Sequence, residues 1–197
     1  LKDFNKPEEE EDVDISFDVE DFRTGIIEVE ASGRKDYSLL PWNRDKFGNN
    51  TTLRSSAVGP YQFLYGTHKD LLKKWGINSK DEFIGNKVAQ EKLMSYMLED
   101  KPGRYTFMAK ALMRDFKDEI LDIGVTFEDL LAFEHFAGHG TIRKLLKKLK
   151  NKEITVQEFW DSSPGVGNHT MAKYIEIFRM EPEFNQHLKF TEEDYIR

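Results

Sequence analysis

Residues 18–33, Asp18-Val19-Glu20-Asp21-Phe22-Arg23-Thr24-Gly25-Ile26-Ile27-Glu28-Val29-Glu30-Ala31-Ser32-Gly33, read as one amphipathic helix followed by a stop signal. The helical pattern begins near Asp18, runs to about Ala31 and closes at Ser32-Gly33. Phe22, Ile26 and Glu30 stand four apart and so share one face. Glu28 lies about 200° around the helix from Ile26 and is expected to face solvent. Glu30 is thus a carboxylate on the apolar stripe, in the last turn of its helix. Burial disfavours the anion there, and the negative end of the helix dipole disfavours it further. Both raise its pKa, as a general acid working near neutral pH requires. The alternative is a Glu that bends out into water at the helix end. Periodicity alone does not choose between them.

On the N-terminal side, residues 1–19 carry the run Glu8-Glu9-Glu10-Glu11-Asp12 and read as an acidic linker or disordered arm. On the other side, residues 32–66 are dense in Pro, Asn, Gly and Thr without a sustained helical period. They predict a long irregular loop or small hairpin, and a loop of that length inside a domain is more often functional than idle. From Thr67 onward the chain reads as helical. Thr67 is expected to cap a helix carrying Leu71, Leu72 and Trp75. Ser79-Lys80-Asp81-Glu82 reads as a capping box opening a longer helix through Leu93, Met94, Met97 and Leu98, broken by Pro102-Gly103. A helix over about 104–120 with Phe107, Leu112 and Phe116 follows, then one opening at Thr126 and running to Ala137, then helices near 140–150, 155–161 and 168–180. The fold class is mainly α, with a domain over 20–180 and a tail over 181–197.

The composition of the 197 residues bounds what such a domain does. Fifteen Phe, seven Tyr and three Trp suffice for a real core and argue against a disordered chain. A net charge of -7 argues against a nucleic-acid partner, which would call for a basic face. Cysteine is absent, which removes disulfide, thiolate-zinc and thiol-nucleophile chemistry. There is no signal-peptide pattern and no apolar run long enough to cross a membrane. The chain begins at Leu1 rather than Met, which leaves open a piece of a longer protein. His135 and His139, four apart, invite a metal reading. Gly138 and Gly140 are expected to end the helix there, and no acidic third ligand is evident, so no metal is expected. Lys144-Leu145-Leu146-Lys147-Lys148-Leu149-Lys150 reads as a solvated basic helix face, with contact to anionic wall or membrane lipid as the alternative.

Four blocks carry a family resemblance over roughly residues 20–180. Ile26-Ile27-Glu28-Val29-Glu30-Ala31-Ser32-Gly33 resembles the segment around the catalytic Glu of lytic transglycosylases and related phage lysozymes. Ser55-Ser56-Ala57-Val58-Gly59-Pro60-Tyr61-Gln62-Phe63 resembles their sugar-groove segment. Phe133-Glu134-His135-Phe136-Ala137-Gly138-His139-Gly140 is similar to their Ala-Tyr-Asn-Ala-Gly-x-Gly block, in the His-Phe style of virion enzymes of tailed phages. Asn168-His169-Thr170-Met171-Ala172-Lys173-Tyr174-Ile175 resembles the last block, whose Tyr sits near the catalytic Glu. Two positions depart from the pattern: Ala31 stands where the family often has a Ser, and His135-Phe136 replaces Tyr-Asn.

The resemblance implies a lysozyme-like fold and a lytic transglycosylase acting on peptidoglycan glycan strands, without a cofactor. Glu30 would be the catalytic residue. Ser56 and Gln62 would hold acetamido and lactyl groups, and His135 belongs to the groove block. Tyr61, Phe63 and Tyr174 would offer ring faces to sugars and a hydroxyl to Glu30, the alternative for each being a core role. It also implies action on the bacterial cell wall, with the acidic arm favouring a module of a virion or larger machine and, as further partners, other virion or tail proteins. Two rivals stand beside this. One is a hydrolytic lysozyme with Asp36 or Asp45 as second carboxylate, although Asp is common in loops for turn-forming reasons. The other is an inactive structural virion component of the same fold.

Overall fold

The first helix, α1 (Val19–Ala31), is set by its entry. Asp18 is the N-cap, and its Oδ1 accepts from the backbone N–H of Glu20 and Asp21 at 2.8 and 2.9 Å. Phe17, just outside the cap, packs edge-on against Phe22 with ring centroids 6.1 Å apart, a hydrophobic staple. Phe17 and Asp18 therefore take part in the packed start of this helix. The computed structural model describes residues 16–44, 50–54, 56–165 and 169–180, so the acidic run, Asp45, Asn168 and the C-terminal tail fall outside the described residues. No helix among them is long and apolar enough to cross a membrane.

The described residues form a mainly helical fold of ten helices with two small antiparallel hairpins. Both hairpins lie in the 32–66 segment. β1 (Trp42–Arg44) pairs with β2 (Asn50–Arg54), and β3 (Ala57–Val58) pairs with β4 (Phe63–Leu64). After them come α2 (Tyr65–Lys74), α3 (Lys80–Phe83), α4 (Lys87–Met97), α5 (Tyr105–Asp115), α6 (Lys117–Ile123), α7 (Phe127–Phe136), α8 (His139–Lys150), α9 (Val156–Asp161) and α10 (Met171–Phe178). The core centres on α7, where Leu130, Leu131, Ala132 and Phe133 are all fully buried. Four consecutive apolar residues cover every side of this helical turn, which therefore belongs inside. It is packed by α1, α5, α8 and α10. Its start is fixed by a reciprocal Thr126–Asp129 capping box, and Asp129 also pairs with Arg179 just past α10.

Four boundary expectations are corrected. α2 starts at Tyr65 with Leu64 as N-cap and no side-chain cap, because β4 runs straight into it; Thr67 lies inside the helix. The helix opened by Ser79 stops after one turn. Gly85 takes φ +72° and donates its N–H to the Tyr37 carbonyl, and Asn86 then caps α4. Glu82 bonds the Asn78 N–H rather than that of Ser79, so the box there is half formed. The 104–120 helix is two helices broken at the buried Phe116 (φ −136°, ψ 38°), and Phe107 faces outward at 44% exposure. Gly138 ends α7, but Gly140 lies within α8. The basic face of α8 is solvated at Lys144 and Lys147, while Arg143 pairs with Asp115.

The 32–66 segment is tied to α4 at Tyr37, Gly59 and Tyr61. Gln90, fully buried on α4, donates Nε2 to the carbonyls of Tyr37 and Phe83, both at 2.9 Å. Tyr37 and Tyr61 both donate their hydroxyls to Glu91, which also pairs with Arg23 of α1. A Cβ on Gly59 would fall 1.7 Å from Gln90 Oε1, so only glycine lets this turn lie on α4.

Candidate active site

Glu30 stands in the last turn of α1, which Ser32 closes in the left-handed conformation (φ 51°). Phe22 and Ile26 on its stripe are buried, while the Glu30 side chain keeps 20% of its surface accessible. Glu28 is half-buried, with its carboxylate folded over Gly33, rather than fully turned to solvent.

Tyr174 of α10 donates its hydroxyl to Glu30 Oε1 at 2.7 Å, across 144 residues of sequence. Its ring is stacked on Phe136, centroids 3.9 Å apart and planes at 17°, which fixes where the hydroxyl points. His135 Nε2 lies 3.9 Å from the same Oε1. That nitrogen also approaches the Tyr61 carbonyl at 2.7 Å, and a carbonyl only accepts, so Nε2 carries the hydrogen. Nδ1 of the neutral ring then accepts from the Tyr105 hydroxyl at 3.0 Å. Burial pushes the His135 pKa down to about 4, against the opposing bond to Tyr61, so the ring is uncharged at neutral pH. The approach to Glu30 is therefore no ion pair, and among the described residues no cation sits there to hold the carboxylate ionised. Burial raises the Glu30 pKa from 4.5 to about 7, the bond from Tyr174 opposing it. No basic residue stands in the last turn of α1 to offset the dipole. Because Oε1 accepts from Tyr174, a proton on this carboxyl resides on Oε2.

No family model, no curated protein and no solved structure matches this chain. What the centre can do follows from its own groups. They hold a carboxylic acid half-protonated near neutral pH, fixed by one tyrosine hydroxyl beside a neutral imidazole. That is the state of a group able to give a proton and take one back.

A cleft of about 630 Å³ runs beside this centre. Gln62, Phe63, His135 and Phe136 are on its wall; Glu30 is not, and meets it through His135. Gln62 adopts φ +53° and donates Nε2 to the Gly59 carbonyl at 2.6 Å, so its amide half-serves the turn. Ser56 is exposed just ahead of β3. Of the two aromatics expected to offer ring faces, Phe63 lies on the cleft wall with little exposed surface and Tyr61 does not line it. Tyr61 is 1% exposed with its hydroxyl on Glu91, and Phe63 is 2% exposed, edge-on between His68 and His135. Asp36 is spent on a turn, its Oδ1 accepting from the Ser38 N–H at 2.9 Å. His135 and His139 do not converge. One is held by Tyr105 and Tyr61, the other by Glu134. Tyr105, Glu91 and the Glu134–His139 pair escaped the sequence reading, because nothing in local spacing links residues 30 or more apart. Glu134 and His139, five apart across a glycine, were within reach of it.

The bond from Tyr174 can be tested without any reaction. It favours the anion of Glu30, so Tyr174→Phe is expected to raise the carboxyl titration above its value of about 7, by about 1 pH unit. Carboxyl-carbon NMR of Glu30 reads this directly. A midpoint unchanged or lowered would remove Tyr174 from the centre.

Proposed function

We propose that this chain is a lytic transglycosylase of lysozyme-like fold that cleaves the β-1,4 bond between N-acetylmuramic acid and N-acetylglucosamine in peptidoglycan. The observation that carries the reading is Glu30, a carboxyl held up to about pKa 7 by burial and fixed by Tyr174. Among the described residues no neighbouring carboxylate contributes to that rise. Glycosidases with two carboxyls hold them about 5–5.5 Å apart when retaining and about 6.5–9.5 Å apart when inverting. A carboxyl whose pKa is raised by burial and by no second carboxylate suits the substrate-assisted route instead.

In that route Glu30 gives its Oε2 proton to the glycosidic oxygen as the C1–O bond breaks. The substrate's own 2-acetamido group stabilises the anomeric carbon. The C6 hydroxyl oxygen then bonds to C1 while its proton passes to the Glu30 carboxylate, so one residue serves as acid and then base. The product is a 1,6-anhydro ring and the acid is regenerated. Tyr174 holds the carboxyl through both steps. The neutral His135 leaves its pKa between the two demands. With a net charge of -7 the chain gains no long-range attraction to an anionic wall, so capture relies on short contacts in the cleft. The family-like blocks support work at the bacterial cell wall, and the acidic arm favours a module of a virion or larger wall-penetrating machine.

The test is incubation with purified cell wall, followed by mass spectrometry of the released muropeptides. The expected products end in 1,6-anhydro-N-acetylmuramic acid, one water lighter than hydrolysis products. Asp36→Asn and Asp45→Asn, made singly, are expected to leave that product unchanged. Reducing ends as the main product, with activity lost in one Asn variant, would make the chain a hydrolase. No release at all by the folded protein would leave a structural component.

A further inference from the structure

The cleft wall carries a second ionisable pair besides Glu30 and His135. The side chain of Glu134, on α7, has no accessible surface. Its Oε1 accepts from His139 Nδ1 at 2.8 Å, and its Oε2 is buried without a hydrogen-bond partner. Burial raises the Glu134 pKa, against the bond and charge of His139. Such a carboxylate is a poor packing element, since a buried oxygen left unsatisfied costs stability that an apolar side chain in α7 would not. What it does is orient His139. With Nδ1 tied to the carboxylate, the opposite nitrogen, Nε2, is the free end of the ring. His139 keeps 29% of its side-chain surface accessible and lines the cleft at the first residue of α8. Gly138, with φ +77° and open space where a Cβ would stand, leaves the approach clear.

The rest of the wall narrows the chemistry of a ligand. Among the described residues no Lys or Arg lines the cleft, His135 is neutral with both nitrogens engaged, and burial lowers the pKa of His68. An anionic ligand finds no fixed cation among them. Leu71, Met108 and Phe136 supply apolar surface, and Gln62 and Thr67 supply uncharged polar groups. A cavity of this size with few convergent polar groups fits a neutral, hydroxyl-rich ligand with apolar ring faces.

We propose that His139, oriented by Glu134, is a saccharide-binding residue of this cleft, its Nε2 hydrogen-bonding a hydroxyl or acetamido group of a sugar unit beyond the one at Glu30. The choice of saccharide rests on the proposed function, while the oriented imidazole does not. Glu134 is the positioning residue.

The experiment is calorimetric binding of the N-acetylglucosamine tetramer and of peptide-free glycan strands to the full chain carrying Glu30→Gln. Two substitutions separate the ends of the ring. His139→Asn keeps an N–H near the Nδ1 position for Glu134 and removes the cleft-facing nitrogen, so affinity is expected to fall about tenfold. His139→Gln restores a polar group near the Nε2 position and is expected to stay within about threefold of the parent. Glu134→Gln, which keeps an acceptor, should bind like the parent, and Glu134→Leu like His139→Asn. In the active chain the loss from His139→Asn should fall on KM rather than kcat. Parent-like affinity in His139→Asn, or a parent that binds neither saccharide, overturns the proposal. Wall cleavage by the wild type alongside either result leaves the transglycosylase reading standing. His139-dependent binding without wall cleavage removes that reading and keeps this site.

Discussion

Glu30→Gln is expected to lower wall cleavage by at least ~10²-fold while the protein stays folded. Gln matches the shape and can still accept the Tyr174 hydrogen bond, but it has no proton to give. The same substitution has a second, opposite signature in stability. A carboxyl whose pKa rises from 4.5 in the unfolded chain to about 7 in the fold binds more protons when folded. It costs nothing below pH 4.5, and its cost grows as pH rises from there and is complete above about 7. That cost amounts to about 3 kcal/mol. Denaturant unfolding should therefore find Glu30→Gln equal to wild type at pH 4 and more stable at pH 8. Glu28→Gln, half-exposed on the other side of the helix, is the control and should alter neither quantity appreciably. A folded Glu30→Gln variant with half the wild-type rate would remove Glu30 as the acid. A stability gap independent of pH would show that its carboxyl is not the buried, raised group described.

These effects were only partly written in local sequence. The helix from Asp18 to Ala31 was, because its cap, stripe and stop are all local signals. The position of Glu30 on the Phe22–Ile26 stripe followed from period alone, whereas its partner did not. Only the likeness of the block around Tyr174 to a family pattern pointed across those 144 residues. The missed breaks share a cause. Gly85 and Phe116 interrupt good helical periods: at Gly85 the Tyr37 carbonyl recruits its N–H, and at Phe116 the ring is buried. Tertiary demands of this kind override propensity. The aromatics illustrate the same limit. Tyr61 looked like a sugar platform, yet its hydroxyl goes to Glu91, 30 residues on, and that choice leaves no mark on local pattern. The spacing of His135 and His139 suggested a shared face, but Gly138 at φ +77° ends the helix between them and separates their roles.

Gly25 offers the other large effect, because it determines how closely α10 can approach α1. A Cβ there would meet the Phe178 ring at 2.6 Å and the Phe178 carbonyl oxygen at 2.7 Å. Glycine inside a helix costs about 1 kcal/mol relative to alanine, so its presence mid-helix is explained by this crossing rather than by propensity. From Gly25 to Glu30 is five residues forward along α1, about 7.5 Å, and from Phe178 to Tyr174 is four residues back along α10, about 6 Å. The two contacts thus lie on one antiparallel seam, with the Glu30–Tyr174 bond at its far end. The Phe178 ring packs against Phe22 at 5.7 Å and has neighbours on that side, and its carbonyl is part of the helix backbone. Neither clash is relieved by a flexible side-chain tip. Gly25→Val is therefore expected to destabilise the fold by about 1–3 kcal/mol. It should also lower activity by more than the unfolded fraction explains, since a misplacement of about 1 Å at a reacting group can cost ~10²-fold. Gly25→Ala should show the same two losses at smaller size, against the gain its helix propensity would bring. Thermal unfolding together with activity of the folded fraction measures both. An alanine variant more stable than wild type, with the Glu30 carboxyl still titrating near 7, would mean that α1 and α10 do not meet as closely as described, and the seam that holds Tyr174 to Glu30 would have to lie elsewhere.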